Sequence, residues 1–339
     1  MNSMQRFTDR LRGARVDRPP NFNILMTFAA HFIDKPLSEY YLDYRVLVEA
    51  NIAVVEAFDL DIVQAISDPY REAADLGADV QFPHDDLPLC RQPLISEPAD
   101  LRPLKAPQGG AGRRMSDRLE AVRTFRERVG GDIPIMGWVE GALAEAADLR
   151  GVVPLLYDLK DRPGWVEELL EFCVEVEIAF ARAQVAAGAD IIGLGDAVAS
   201  QISLQMYERF ALPYERRVFD AVREMGARTR LHICGDTSHL LPLMPSSGAG
   251  IIDIDWMVDL AAATEAFGDG AVVCGNFDPV AIMLQGTPAA VRDATFACLT
   301  SGGERCISAA GCEIPDATPH ENLRAQAQAL KEFGIPRVS

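Results

Sequence analysis

Residues 230–236 read Arg-Leu-His-Ile-Cys-Gly-Asp, and this stretch decides the fold. An apolar run of strand character, Arg230 to Cys234, stops abruptly at Gly235-Asp236 and so carries polar groups to one end. Successive strand side chains point to opposite faces, which puts His232 and Cys234 on the same one. The pattern recurs along the chain. Further candidate strands are Asn21 to Met26, Ile62 to Ile66, Pro134 to Trp138, Asp190 to Leu194, Ile251 to Asp255, Val272 to Gly275 and Cys306 to Ala310, which makes eight. Polar groups follow most of them: Ser67-Asp68, then Trp138-Val139-Glu140, Gly195-Asp196, Asp255-Trp256, Gly275-Asn276-Phe277-Asp278 and finally Gly311-Cys312-Glu313.

Helical patterns fill the intervals: Leu37 to Phe58, Arg114 to Val129, Gly164 to Ala187 with Gly188 as a stop, and Leu204 to Met225. Another runs from Thr287 to Thr300, where Thr-Pro supplies a cap and a first-turn proline. Strands alternating with helices predict an α/β protein, a (β/α)8 TIM barrel with its chemistry on loops at the C-terminal strand ends. A doubly wound open sheet is the runner-up, but its Gly-rich phosphate turn is missing. We expect one barrel domain over 1–339, with a proline-rich, irregular excursion over the mouth at about 71–107.

With 49% hydrophobic residues the chain is globular, and a formal net charge of −18 repels phosphate backbones and anionic membranes. Nucleic acid is therefore not an expected partner. There is no run of about 18 apolar residues and no apolar core in the polar N-terminal segment, so neither a membrane span nor a secretory signal is expected. Seven scattered cysteines in a chain this long do not form a disulfide framework. A reduced, cytoplasmic protein is the expectation.

His232, Cys234 and the distant Cys312 suit zinc in a catalytic site, where three protein ligands leave a fourth position open. Two thiolates leave the ion little net charge, so a substrate thiol bound there stays nucleophilic, while an ether or amine would meet a Lewis acid. The competing reading has His232 as a hydrogen-bonded barrel histidine and the two cysteines as small buried apolar groups. Spacing alone does not choose between them. Cys274 and Cys306, within strands, read as packing residues.

The segments SDPYREAADLGADVQF, GADIIGLGDAVASQISLQMYERFALPY, LHICGDTSHLLPLM, VVCGNFDPVAIMLQGTP and GCEIPDATPHENLRA resemble the uroporphyrinogen decarboxylase superfamily over most of the chain. The resemblance implies the same barrel. The decarboxylases carry an arginine-rich segment after the first strand to hold porphyrin carboxylates, whereas this chain has ILMTFAAHFIDKP, and they favour histidine where it has Cys312. His-x-Cys with a late Cys resembles instead the branch of zinc methyltransferases that work with corrinoid proteins, such as the methylcobalamin:coenzyme M enzymes. That branch implies His232, Cys234 and Cys312 as Zn2+ ligands, and methylcobalamin or another corrinoid carried by a partner protein.

This chain departs from the coenzyme M enzymes at GWVEGALAEAADLRG. There Glu140 is open to three roles: a fourth ligand, a substrate contact, or a mouth carboxylate paired with an arginine. We expect Glu140, Asp196 and Asp236 as catalytic groups. Trp138, Trp256, Asn276 and Asp68 are expected around the substrate, the tryptophans as an aromatic wall or as core packing. Asp196, Asp236, Asp255 and Asn276 are also candidates to receive the second N–H of a ligating histidine. The expected function is zinc-dependent transfer of a methyl group between a small O-methyl or N-methyl substrate and a corrinoid protein. The alternatives are transfer from methylcobalamin to a thiol or tetrahydrofolate, and a cofactor-free decarboxylase.

Overall fold

The computed structural model describes residues 1–106 and 112–334. Pro107, the last residue of the expected excursion, and 335–339 of the expected domain lie outside the described residues. The strands are β1 (Val63–Gln64), β2 (Val80–Gln81), β3 (Leu89–Cys90), β4 (Ile135–Glu140), β5 (Ile191–Gly195), β6 (Arg228–His232), β7 (Ile251–Asp253) and β8 (Val272–Cys274). Six of them form one sheet in the order β1-β4-β5-β6-β7-β8, and every neighbouring pair is parallel.

Two further segments close the ring. Ile307 N–H donates to Val273 O at 3.0 Å and Gly275 N–H to Ile307 O at 3.2 Å; Phe22 N–H then reaches Ser308 O at 2.8 Å, and Asp61 N–H reaches Asn21 O at 2.9 Å. The sequence reading expects full strands at Asn21–Met26 and Cys306–Ala310, but each is reduced to isolated bridges. Side-chain amides replace the ladder there. Asn23 Oδ1 accepts from Ala310 N–H at 2.9 Å, and Gln64 Nε2 donates to Asn23 O at 2.8 Å.

Strand alternation divides the apolar residues into two cores. One fills the barrel, with Phe22, Ile62, Met136, Trp138, Ile191, Ile251, Val272 and Ile307, and Phe7 of the helix Ser3–Leu11 joins it. The other lies between the strands and the surrounding helices. Helices Arg113–Val129, Pro163–Ala187 and Pro288–Gly302 match the sequence reading closely, and Thr287 caps the last by accepting from Ala290 N–H at 3.3 Å.

Two expected helices are each split. Leu37–Phe58 breaks at Asp43, whose side chain caps the new helix Tyr44–Phe58 through Arg45 N–H at 2.9 Å. Leu204–Met225 breaks at Ala211, because Pro213 has no N–H to continue the ladder. The excursion is more regular than expected: the helix Arg71–Leu76, the antiparallel ribbon β2–β3 and the 3-10 turn Pro98–Leu101 follow one another. Among the described residues no helix is long and apolar enough to cross a membrane.

Candidate metal centre

Parallel register builds the site. His232, the last residue of β6, pairs with Asp253, the last of β7. Its Nδ1 lies 3.0 Å from Asp253 Oδ2, so an Nδ1–H donor leaves Nε2 with a lone pair facing Cys234. Asp253 also receives Arg230 Nε at 2.9 and 3.0 Å, and Arg230 Nη2 donates to Phe22 O at 3.3 Å. Burial pushes the Asp253 carboxyl up, but Arg230 and His232 outweigh it and hold the group below its ordinary value.

Three donors converge at the top of this line. His232 Nε2 is 3.0 Å from Cys234 Sγ, the two sulfurs are 3.6 Å apart, and Cys312 Sγ is 3.8 Å from His232 Nε2. Tetrahedral zinc with ordinary bond lengths needs donor separations of roughly 3.5 to 3.8 Å. The set therefore fits such an ion in donor chemistry and in the two separations to Cys312, while the 3.0 Å between His232 Nε2 and Cys234 Sγ would have to open by about half an ångström; it is the group of this kind found among the described residues. The Cys312 thiol is pushed down to about 4, first by the hydrogen bond from Cys234 and then by His232. Gly311 sets the approach of Cys312: a Cβ there would meet Trp256 N and lie 2.9 Å from Asp255 C.

The donors open on a cavity of about 270 Å3. Ile24, Met26, Ile66 and Trp138 give it apolar walls, and the Trp138 ring centroid is 6.2 Å from that of His232. Glu140 and Asp68 also line it. Glu140 Oε1 accepts from Arg71 Nη2 at 2.8 Å and from Trp138 Nε1 at 3.2 Å; burial pushes its carboxyl up to about 7 against the pull of Arg71. Of its three expected roles, pairing with an arginine is the one the geometry shows. Asp68 forms an ion pair with Arg114.

Other expected residues lie elsewhere. Asp236 is exposed and caps a turn through Ser238 N–H at 3.0 Å. Asp196 is fully buried against Gly141, where a Cβ would lie 2.5 Å from its Cγ, and does not line the cavity. Asn276 points away, with Nδ2 donating to Asp255 O at 3.1 Å and Val258 O at 2.7 Å. Trp256 is 48% exposed outside the cavity lining, because its backbone packs on Gly311 and its ring turns to solvent. Asp255 accepts from Gly235 N–H at 2.9 Å and so holds the turn after Cys234, not the imidazole.

Three residues escaped the sequence reading. Asp253 takes the imidazole N–H, Arg71 holds Glu140, and Glu313 lines the cavity with Oε1 accepting from Thr27 N–H at 2.8 Å and Thr27 Oγ1 at 2.9 Å. Each carried a signal: Asp253 has strand parity with Asp255, Arg71 lies three residues after Asp68, and Glu313 adjoins Cys312.

A family model described as uroporphyrinogen decarboxylase (URO-D) matches residues 2–333. A methylcobamide:CoM methyltransferase, MtbA, of Methanosarcina mazei is 35% identical over 65% of the chain, which spans 64% of that relative, just under two thirds. A uroporphyrinogen decarboxylase of Nostoc punctiforme is 29% identical over 96% of each chain. A solved methyltransferase from Methanosarcina mazei superposes with a TM-score of 0.89 at 25% identity, covering 98% of this chain and 99% of that one.

Proposed function

The chain belongs to the uroporphyrinogen decarboxylase family, and on that premise we propose that it is a zinc-dependent methyltransferase. It moves a methyl group between a small O-methyl or N-methyl substrate and a corrinoid carried by a partner protein. The convergence of His232 Nε2, Cys234 Sγ and Cys312 Sγ in a small cavity at the barrel mouth carries the reading. These three residues would hold zinc. When bound, the ion supplies a Lewis acid that makes the substrate heteroatom a better leaving group or its thiol a better nucleophile.

The chain's own residues set the conditions for that chemistry. Asp253 and Arg230 fix the imidazole so that Nε2 faces the sulfurs. Ile24, Met26, Ile66 and Trp138 give the reacting centre apolar walls that favour the substrate's methyl group over water. Glu140, pushed up to about 7 by burial, is suited to hold or accept a proton at its carboxylate near neutral pH.

A decarboxylase is the rival, supported by the Nostoc punctiforme relative that matches along nearly the whole chain. It needs no metal. Zinc content of the purified protein, wild type beside Cys312→Ser, separates the two, together with the cobalamin absorbance change when methyl acceptor and donor are mixed with each. We expect about one zinc per wild-type chain, and loss of most of it and of methyl transfer in the variant. A wild type that retains no zinc, or a variant that still transfers methyl, overturns the methyltransferase reading.

A further inference from the structure

The charged groups around the cavity bear on which substrate enters it. Three lining side chains are carboxylates, Asp68, Glu140 and Glu313, and one is cationic, Arg71. Arg71 is already engaged. Nη2 holds Glu140 at 2.8 Å, Nε lies 3.4 Å from Glu72 Oε2, Nη1 donates to the Asp68 carbonyl, and the side chain is 1% exposed. Asp68 is offset by Arg114, but Glu313 is held by the neutral donors of Thr27.

Among the described residues lining the cavity, an anionic tail would find Arg71 already paired with carboxylates, and a buried unpaired charge is costly. A cationic or hydroxyl tail would find carboxylates. We propose that the cavity selects small substrates with a cationic or neutral tail and excludes those with an anionic one, and that Glu140 determines this specificity by occupying Arg71. The inference rests on the site proposed above and deepens it. It sets this chain apart from enzymes whose thiol substrate is coenzyme M, which carries a sulfonate.

The test is a series of thiols that differ only in the tail: mercaptoethylamine, mercaptoethanol and mercaptoethanesulfonate. Their binding is measured by calorimetry at about pH 8.5, where a Glu140 carboxyl raised to about 7 is ionised, on the full chain, zinc-loaded and zinc-free, with affinities corrected for thiol ionisation. We expect the ammonium compound to bind best and the sulfonate roughly tenfold or more weaker, as a unit charge near a partly buried carboxylate requires. In Glu140→Gln the cavity loses one negative charge and Arg71 keeps only Glu72 as a charged partner, which should raise sulfonate affinity about tenfold and lower that of the ammonium compound.

A sulfonate that binds wild type as tightly as the ammonium compound overturns the proposal, and so does failure of all three thiols to bind. The wild-type series decides the matter even if the variant does not fold. If zinc is bound and the order is reversed, charge selection falls and the methyltransferase reading stands. If zinc is absent and the order holds, the opposite follows.

Discussion

At the scale of single residues, the least replaceable group that is not itself a donor is Asp253. It joins a buried arginine to the imidazole, so its loss both frees the ring and strands the Arg230 charge. Asp253→Asn keeps the shape, but its amide is a weaker acceptor from His232 Nδ1–H and no counter-ion for Arg230. Zinc affinity should fall about 10- to 100-fold, read by competition with a chromophoric chelator; unchanged affinity would mean that the contact does not tune the site. Period-two spacing makes the side shared by His232 and Cys234 legible in the sequence, whereas Cys312 is tied to them as a ligand only by the resemblance to the methyltransferase branch. Asp253 is not legible, because the histidine's partner is set by cross-strand register, which a single strand does not encode. The nearest of the four expected acceptors is Asp255, two residues further on, where the carboxylate meets Gly235 N–H instead. Trp256 is misplaced for a related reason, since the chain has already left the strand and its ring follows the loop.

At the scale of elements, β5 gives Trp138 its position. Its sequence, Ile-Ile-Gly-Leu-Gly, sets Gly193 opposite Trp138 in the register, and a Cβ at Gly193 would meet the ring, reaching Cζ3 at 2.5 Å. The glycines of β5 therefore form the groove in which the cavity's tryptophan lies. Gly193→Ala should cost about 1–3 kcal/mol in chemical denaturation, as overpacking in a full core does, and should change the near-UV signal of the tryptophans. An alanine variant with wild-type stability and an unchanged aromatic spectrum would show that the ring has room to move. The helices Arg113–Val129 and Pro163–Ala187 are legible because long amphipathic periods need only local information. The first and last barrel segments are legible in place but not in extent. Backbone bonds close the ring there, but side-chain amides such as Asn23 and Gln64 replace part of the ladder, and strand propensity carries no trace of that.

Across the whole molecule, acid groups are buried in unusual number, and this ties stability to pH. Glu72, Glu140, Glu145, Glu177, Asp196 and Glu215 are buried, and burial pushes each above its ordinary value; Glu140 and Glu215 reach about 7. A carboxyl raised in the folded state keeps a proton that the unfolded chain has released. Its stabilisation is therefore complete below about pH 4.5 and declines as pH rises towards 7 and beyond. Asp17, held near 2 by Arg6, and Asp253 act in the opposite sense, and their contribution is lost only at acid pH. The thermal midpoint, measured with zinc saturating, should thus be higher near pH 5.5 than near pH 8.5, by roughly several degrees. Glu215 isolates the effect, because Tyr207 OH donates to it at 2.6 Å and would donate equally to an amide oxygen. Glu215→Gln should match wild type near pH 5 and exceed it by about 2–3 kcal/mol near pH 8, since each tenfold in proton affinity is worth about 1.4 kcal/mol. Parallel stability profiles for the two proteins would show that Glu215 is ionised in the fold and that its burial has another counterweight.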